Sequence, residues 1–159
     1  MLSLSKKTDY ALIALAYLAD RPGRVAPARE IAGAYNLPVA LLMNILKSLH
    51  QHDVLRSTRG TKGGYQINIA LDDMSLLQLI EVVEGPVYMT ECIRLAQPVL
   101  EGEPAHDPIH CKVHETCPIQ SPIQALHHRL VRFLDDVKLS HLLTPGKRID
   151  VPVELVGMG

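Results

Sequence analysis

Apolar residues near the start of the chain recur at the spacing of an amphipathic helix. The positions that set this spacing are Tyr10, Ile13, Ala14, Tyr17 and Leu18. Because such residues fall on one face of a helix, and because Pro22-Gly23 stops the pattern, we predict a first helix over about residues 5–20. Pro27 then opens a second, shorter helix that runs through Ala34.

A third helix follows a turn at Asn36-Leu37-Pro38, in which we expect Asn36 to cap the new helix. Its predicted inner face holds Leu42, Ile45, Leu46 and Leu49, and its opposite face holds Ala40, Asn44, Lys47 and Gln51. Two short helices joined by a brief turn, the second presenting small and polar side chains to solvent, indicate a helix-turn-helix.

Two predicted strands, Val54–Thr58 and Tyr65–Ile69, follow this motif. The segment between them, residues 59–64, carries Arg59, Lys62 and three glycines. A glycine-rich hairpin tip with two cations suits a wing that reaches DNA, since glycine accepts positive φ and the cations meet phosphate or the minor groove. A nucleotide-binding loop is the weaker alternative, because the spacing of that motif is missing and a strand follows instead of a helix.

The second half of the chain predicts two more amphipathic helices. Ser75 caps a fourth helix that ends at Gly85-Pro86, and periodicity then disappears over residues 86–117. An apolar stripe returns from Pro118 or Pro122 to Val137, formed by Ile123, Leu126, Leu130, Phe133, Leu134 and Val137. Because a palindromic DNA site demands two-fold symmetry, we interpret this long helix as a dimer seam. A short helix around Ser140 to Leu143 and a poorly ordered tail complete the prediction.

Charge divides the chain into two unequal parts. Residues 1–70 hold nine Lys or Arg against four acids, giving +5, whereas residues 71–159 hold seven against thirteen, giving −6. Phosphate contacts dominate affinity for nucleic acid, so the basic part is the one expected to meet a polyanion. Aromatic residues make up 4% of the chain with no Trp, which disfavours single-strand binders that stack bases.

The expected location is the cytoplasm. The longest apolar run, Ala11 to Ala19, is about half of a membrane span, and no cleavage site of an export signal follows it. The three cysteines are an odd number, whereas a secreted disulfide scaffold would hold more of them in pairs.

Those cysteines, Cys92, Cys111 and Cys117, are separated by 18 and 5 residues in a segment that also carries His106, His110 and His114. Three thiolates can bind one face of an iron–sulfur cluster and leave a coordination position open. A tetrahedral zinc site through Cys111, His114 and Cys117 competes with this interpretation, as do plain structural thiols. A catalytic Cys–His pair lacks any accompanying oxyanion or substrate-pocket signal, so we expect no enzyme.

Several motifs together resemble the Rrf2 family of winged-helix regulators, which includes the iron–sulfur regulator IscR, the nitric-oxide sensor NsrR and regulators of the SUF assembly system. The resemblance runs from about Leu2 to Leu143. Its marks are Leu4-Ser5-Lys6-Lys7-Thr8-Asp9-Tyr10-Ala11-Leu12, Arg59-Gly60-Thr61-Lys62-Gly63-Gly64-Tyr65, Glu84-Gly85-Pro86, Thr90-Glu91-Cys92 and Cys117-Pro118.

The resemblance implies a homodimer whose affinity for double-stranded DNA, at a palindromic operator, follows the state of an iron–sulfur cluster. The sequence leaves open whether this cluster is 2Fe–2S or 4Fe–4S, and zinc stays the alternative metal on the Cys and His spacing. Cys92, Cys111 and Cys117 would hold the cluster. Asp9 matches an aspartate that reaches the partner subunit's cluster in NsrR-like members, with His110 and His114 as rival ligands. The first cysteine gap is much longer than in IscR, Gln120 replaces the IscR histidine ligand, and Met43 replaces a glutamate that tunes base choice there.

The combined prediction is a mainly α-helical fold with a small β-hairpin wing, a winged helix-turn-helix joined to a long C-terminal dimerisation helix. We divide it into a DNA-binding domain (1–85), a cluster-binding segment (86–117), a dimerisation helix region (118–143) and a tail (144–159). The DNA contacts are assigned to Ala40, Asn44, Lys47, Arg59 and Lys62.

Overall fold

The structure is a computed structural model and describes residues 4–95, 113, 116–144 and 146. The predicted tail apart from residues 144 and 146, the three histidines at 106, 110 and 114, and Cys111 lie outside the described residues. The described elements are α1 (Lys6–Ala19), α2 (Ala28–Tyr35), α3 (Val39–Gln51), β1 (Leu55–Thr58), β2 (Gly64–Ile67), α4 (Leu76–Glu84), α5 (Glu91–Leu95), α6 (Gln120–Asp136) and α7 (Leu139–Leu143).

The first helix begins at a side-chain cap and buries one face in the core. Ser5 Oγ accepts hydrogen bonds from the backbone N–H groups of Lys7 at 3.0 Å and Thr8 at 3.5 Å, which satisfies donors that lack a partner at a helix start. Ala11 and Leu15 are fully buried in the main core. This core also contains the inner face of α3, Ile31 of α2 and Leu79 of α4, so one apolar centre holds the first four helices together.

The turn of the helix-turn-helix differs from the prediction in the role of Asn36. Asn36 adopts φ 52° and ψ 43° at the end of α2, and its N–H donates to the Ala32 carbonyl. The N-cap of α3 is Pro38, which makes no capping side-chain hydrogen bond. The expectation that Asn36 caps α3 was therefore wrong, because asparagine tolerates left-handed backbone and here closes the preceding helix.

The wing is an antiparallel pair of strands, shorter than the predicted ones. β1 and β2 pair with Leu55 opposite Ile67 and Thr58 opposite Gly64. Ala26 pairs with the other edge of β2 as a single-residue antiparallel bridge, since its backbone exchanges hydrogen bonds of 2.9 and 2.8 Å with Tyr65. The loop before α2 is thereby joined to the base of the wing.

The chain returns to the winged domain after α6. Leu76 N–H donates to the Val137 carbonyl at 2.7 Å, and Leu139 N–H donates to the Met74 carbonyl at 2.9 Å. Leu139 is fully buried in the main core, while Val137 packs with Leu76 in a second, smaller cluster. This return fixes the C-terminal end of α6 against the start of α4.

Two features of the second half extend the prediction. A short helix, α5, forms within the segment for which no periodicity was expected, and Cys92 lies on it. All residues of α6 are described, and His127 alone among them is buried, whereas Leu126 is 50% exposed. The apolar stripe of α6 is thus only partly covered within the described chain.

Candidate DNA-binding surface and cysteine segment

The outer face of α3 is open to solvent. Ala40, Asn44 and Lys47 are all exposed, as the sequence predicts, while the opposite face of the helix is buried. Met43, also on this surface, is 51% exposed. A helix that buries one face and presents small, polar and cationic groups on the other has the composition of a recognition helix.

The turn between the two wing strands carries two exposed cations. Arg59 and Lys62 are both exposed, and Gly60 between them adopts φ 112°, a conformation that favours glycine. The following glycines serve another purpose. A Cβ on Gly63 would lie 2.3 Å from the Thr58 carbonyl oxygen, and one on Gly64 would lie 2.3 Å from the Ala26 carbonyl oxygen. Gly63 and Gly64 are needed because backbone approaches closely, not because φ is positive.

His50 ties the recognition helix to the wing. Its Nδ1 lies 3.0 Å from the Leu55 carbonyl oxygen, and its Nε2 lies 3.0 Å from Ser57 Oγ. Since a carbonyl can only accept, Nδ1 donates to Leu55, whereas the contact between Nε2 and the Ser57 hydroxyl can form with either group as the donor. Sequence reasoning missed this pair, although a histidine in the last turn of a helix followed by a hydroxyl-bearing strand was a usable signal.

A second contact holds α3 against α4. Ser48 Oγ donates to the Val82 carbonyl at 2.8 Å, across 34 positions of sequence. Asn68 Nδ2 donates to the Asp53 carbonyl at 2.9 Å and so fixes the turn between α3 and β1. The helix and the wing are therefore presented in one defined orientation.

A cationic cluster braces the beginning of α2. Tyr17 donates its hydroxyl proton to Glu30 at 2.5 Å, and Arg24 forms an ion pair with the same carboxylate at 2.9 Å. Arg21 stacks on the Tyr17 ring, 3.9 Å from its centroid. The hydrogen bond to Glu30 and burial raise the pKa of Tyr17. Glu30 thus binds Tyr17 of α1 and Arg24 of the following loop, and these contacts fix α1 to α2.

The cysteine segment is described at its two ends. Cys92 and Cys117 are free thiols and both are half-buried. Thr90 Oγ1 lies 3.2 Å from Cys92 Sγ, close enough for a hydrogen bond. Within the described residues no three His, Cys, Asp or Glu side chains come together as a metal-binding group, and the third predicted cysteine ligand lies outside them.

Asp9 is exposed on the first turn of α1, next to the buried Thr8. Its position in the first turn is also that of a favourable partner for the helix dipole. Thr8 Oγ1 donates to Glu84 Oε1 at 3.0 Å. The start of α1 is thus tied to the end of α4, where the chain enters the cysteine segment.

Comparison with known proteins agrees with this geometry. The family model Rrf2, described as an iron-dependent transcriptional regulator, matches residues 4–145. An rrf2-like HTH-type transcriptional regulator of Rhodobacter capsulatus is 32% identical over 147 residues, covering 90% of this chain and 93% of the relative. The HTH-type transcriptional regulator NsrR of Bacillus subtilis is 28% identical over 92 residues, covering 57% of this chain and 63% of NsrR.

The fold is also that of a solved regulator. The structure of CymR, the global cysteine regulator of B. subtilis, superposes with a TM-score of 0.63 at 25% identity and covers 91% of this chain and 98% of CymR. In the part of the chain that the structure describes, no helix is long and apolar enough to cross a membrane. The predicted winged-helix fold is confirmed, and the chain belongs to the Rrf2 family of transcriptional regulators, not to a family of enzymes.

Proposed function

We propose that this regulator is a homodimer that binds a palindromic operator in double-stranded DNA, and that its operator affinity responds to an iron–sulfur cluster. The signal carried by that cluster is cluster supply, redox state or nitric oxide. Since such a regulator works at the chromosome, the proposal places it in the cytoplasm.

The DNA contacts are assigned to α3 and the wing. The observation that carries this assignment is the shared exposure of Asn44, Lys47, Arg59 and Lys62 on two elements that His50 joins. Asn44 and Lys47 lie on the face of α3 that would enter the major groove, where base edges are distinguishable. Arg59 and Lys62 would contact phosphate or the adjacent minor groove.

The cluster assignment rests on the donor set. Two free, half-buried thiols flank the segment, and soft thiolate ligands suit iron–sulfur centres. Cys92, Cys111 and Cys117 would hold the cluster, which would supply iron that can be oxidised and a coordination position at which a ligand can be exchanged. Thr90 would keep the Cys92 sulfur oriented by its hydrogen bond. The family description as iron-dependent supports the choice of iron.

The switch that we propose is a shift between two populations of the dimer. With the cluster bound, residues 92–117 hold the winged domains at the spacing that fits the operator, and without it other spacings become populated. The bond between Thr8 and Glu84 offers a direct mechanical connection, because Glu84 precedes the segment and Thr8 follows Lys7, which lies beside Asn44 of α3.

Binding assays on alanine variants test the DNA surface. An operator selected from a random duplex library is titrated with the wild type and with Asn44→Ala, Lys47→Ala, Arg59→Ala and Lys62→Ala. Replacing Lys47 or Lys62 makes the negative slope of log affinity against log salt shallower by about one each, and Arg59→Ala also relaxes sequence preference. Arg132→Ala, an exposed cation on the side of α6 away from its apolar stripe, serves as the control. Unchanged binding in all four variants overturns the assignment.

Colour and metal content test the cluster. Protein purified without oxygen is expected to absorb in the visible range and to contain iron and sulfide in stoichiometric amounts. Cys92→Ser and Cys117→Ser lose that absorbance, whereas Thr116→Ala, an exposed neighbour of Cys117, keeps it. Colourless protein with one zinc per chain supports the alternative, a zinc-stabilised or thiol-responsive regulator without a cluster.

Asp9 is the proposed fourth ligand, reaching the cluster of the partner subunit. An oxygen ligand binds iron less tightly than thiolate or imidazole, which suits a displaceable sensor position. Asp9→Ala, His110→Ala and His114→Ala are compared after identical anaerobic reconstitution. An altered cluster spectrum in Asp9→Ala alone supports the aspartate. If only a histidine variant changes the spectrum, the aspartate assignment is wrong.

A further inference from the structure

A cation of the first helix lies beside the recognition helix. Lys7 of α1 and Asn44 of α3 line one shallow depression of about 180 Å³ at the junction of α1, α3 and α4. The remaining lining residues are Leu41, Ile45, Ser48 and Val83. Residues from three helices thus bring a lysine next to a polar side chain that the proposed function assigns to DNA.

Helix geometry explains why Lys7 lies there. Lys7 is one turn before Ala11, and Ala11, Ala14, Leu15 and Leu18 form the buried stripe of α1. Residues three and four positions apart share a face of a helix. The stripe that packs in the core therefore continues at its N-terminal end into Lys7, where the core ends and the depression beside α3 begins.

The ammonium group of Lys7 is available for a ligand. Lys7 is exposed, and within the described part of the chain no carboxylate forms an ion pair with it. Ser48, on the same depression, donates its hydroxyl proton to the Val82 carbonyl, so this proton is already used and the donors left for an anion are Lys7 and Asn44. Asn44 is likewise exposed and makes no side-chain hydrogen bond among the described residues. An unpaired cation beside a free amide points to an anionic partner with hydrogen-bonding groups.

The size of the major groove identifies that partner. An α-helix with its side chains is about 10–12 Å across, and the major groove is about 12 Å wide. When a helix fills the groove, side chains of a neighbouring helix packed beside it lie next to the phosphates that border the groove. We propose that Lys7 binds a phosphate at the edge of the groove that α3 enters, so that α1 adds a contact to those of α3 and the wing.

This inference rests on the proposed function and assigns different parts of the DNA to two neighbouring residues. Lys7 would hold backbone phosphate and carry no sequence information, whereas Asn44 would face the base edges from the same side of α3. Lys6 is exposed too, but it does not line the depression, so it serves as a neighbour of equal charge on the same turn of helix.

The test measures DNA affinity over a range of salt concentrations, with the selected operator and with a mixed-sequence duplex. Lys7→Ala is expected to make the negative slope of log affinity against log salt shallower by about one on both duplexes. Lys7→Arg keeps the slope, and Lys6→Ala changes it less than Lys7→Ala does. Because Lys7 is exposed, the thermal unfolding midpoint of Lys7→Ala should match that of the wild type.

A double-mutant cycle with Asn44→Ala adds a local readout, since contacts with the same nucleotide couple and distant ones add. A coupling between Lys7→Ala and Asn44→Ala larger than that between Lys6→Ala and Asn44→Ala supports the inference. If Lys47→Ala makes the salt slope shallower and Lys7→Ala leaves it at the wild-type value, the inference alone is wrong. A wild type that binds neither duplex contradicts the proposed function and this inference together.

Discussion

Thr8 and Glu84 are joined by a 3.0 Å hydrogen bond from Thr8 Oγ1 to Glu84 Oε1, although 76 positions separate them in the chain. Thr8 is 1% exposed, whereas Glu84 is exposed at the end of α4. The bond connects the helix start that holds Lys7 and Asp9 to the point where the chain enters the cysteine segment. This hydrogen bond therefore joins the helix start proposed to contact DNA to the segment proposed to hold the cluster.

Removing the Thr8 hydroxyl should weaken this connection at a small cost in stability. Thr8→Val keeps the side-chain shape and loses the bond, so the free energy of unfolding in urea should fall by about 1 kcal/mol. Thr58→Val, an exposed threonine on β1, is the control and should change stability less. Equal stability of Thr8→Val and wild type would show that the bond contributes nothing to the fold.

The wing glycines predict opposite effects for two substitutions of the same kind. Gly64→Ala places a Cβ against backbone atoms of Ala26 and Pro27, so it should separate Ala26 from Tyr65 and destabilise the fold by about 2 kcal/mol or more. Gly33→Ala, within α2 and with nothing near its Cβ, should stabilise it by about 0.5–1 kcal/mol. Urea denaturation compares them, and a neutral Gly64→Ala would contradict the close approach.

His127 predicts a pH dependence of stability. Burial, followed by the charge of His128, lowers the pKa of His127 from its ordinary 6.5, and its Nδ1 has no hydrogen-bond partner in the described chain. The unfolded chain takes up the proton near pH 6.5, whereas the folded chain resists until lower pH. The unfolded state then binds more protons, so the free energy of unfolding falls as pH drops below about 6.5.

The variant His127→Phe removes the titrating group and should flatten this dependence between about pH 7 and about pH 5.5. His128→Gln changes the exposed neighbour and should retain most of the slope. Denaturant titrations at several pH values measure both variants. A wild-type stability that stays constant through this window would show that His127 does not contribute.

The exposed stripe of α6 predicts where two copies meet. Leu126 is 50% exposed, so a glutamate there costs a single chain little, but burying that charge unpaired in a dimer seam costs several kcal/mol. Leu126→Glu should therefore sediment as a monomer and bind the operator more weakly. Leu142→Glu, at a 38% exposed leucine of α7, should remain dimeric. A dimeric Leu126→Glu would place the interface elsewhere.

Local sequence patterns predicted most of the helices and the hairpin, because apolar periodicity and caps act over a few residues. The case of Asn36 marks the limit. Asparagine favours both an N-cap and a left-handed helix end, and the spacing to Pro38 fits both roles. Only the packing of α2 on α3 decides between them, and it assigns Asn36 to the end of α2.

Long-range contacts could not be predicted in this way. The exposure of Arg59 and Lys62 follows from a glycine-rich turn, but the need for Gly64 arises from Ala26, which is distant in sequence. The position of Lys7 beside Asn44 likewise depends on how α1 crosses α3. The exposure of charged residues in a short turn can be predicted from local sequence, whereas residues that become neighbours only in the folded chain cannot.

In the proposed switch, cluster occupancy controls operator affinity. The most direct measurement compares the operator affinity of cluster-loaded and cluster-free wild type by fluorescence anisotropy under anaerobic conditions at one salt concentration. We expect the two affinities to differ by about tenfold or more, equivalent to about 1.4 kcal/mol. Affinities within about twofold, a difference of about 0.4 kcal/mol, would contradict it even if the protein holds a cluster.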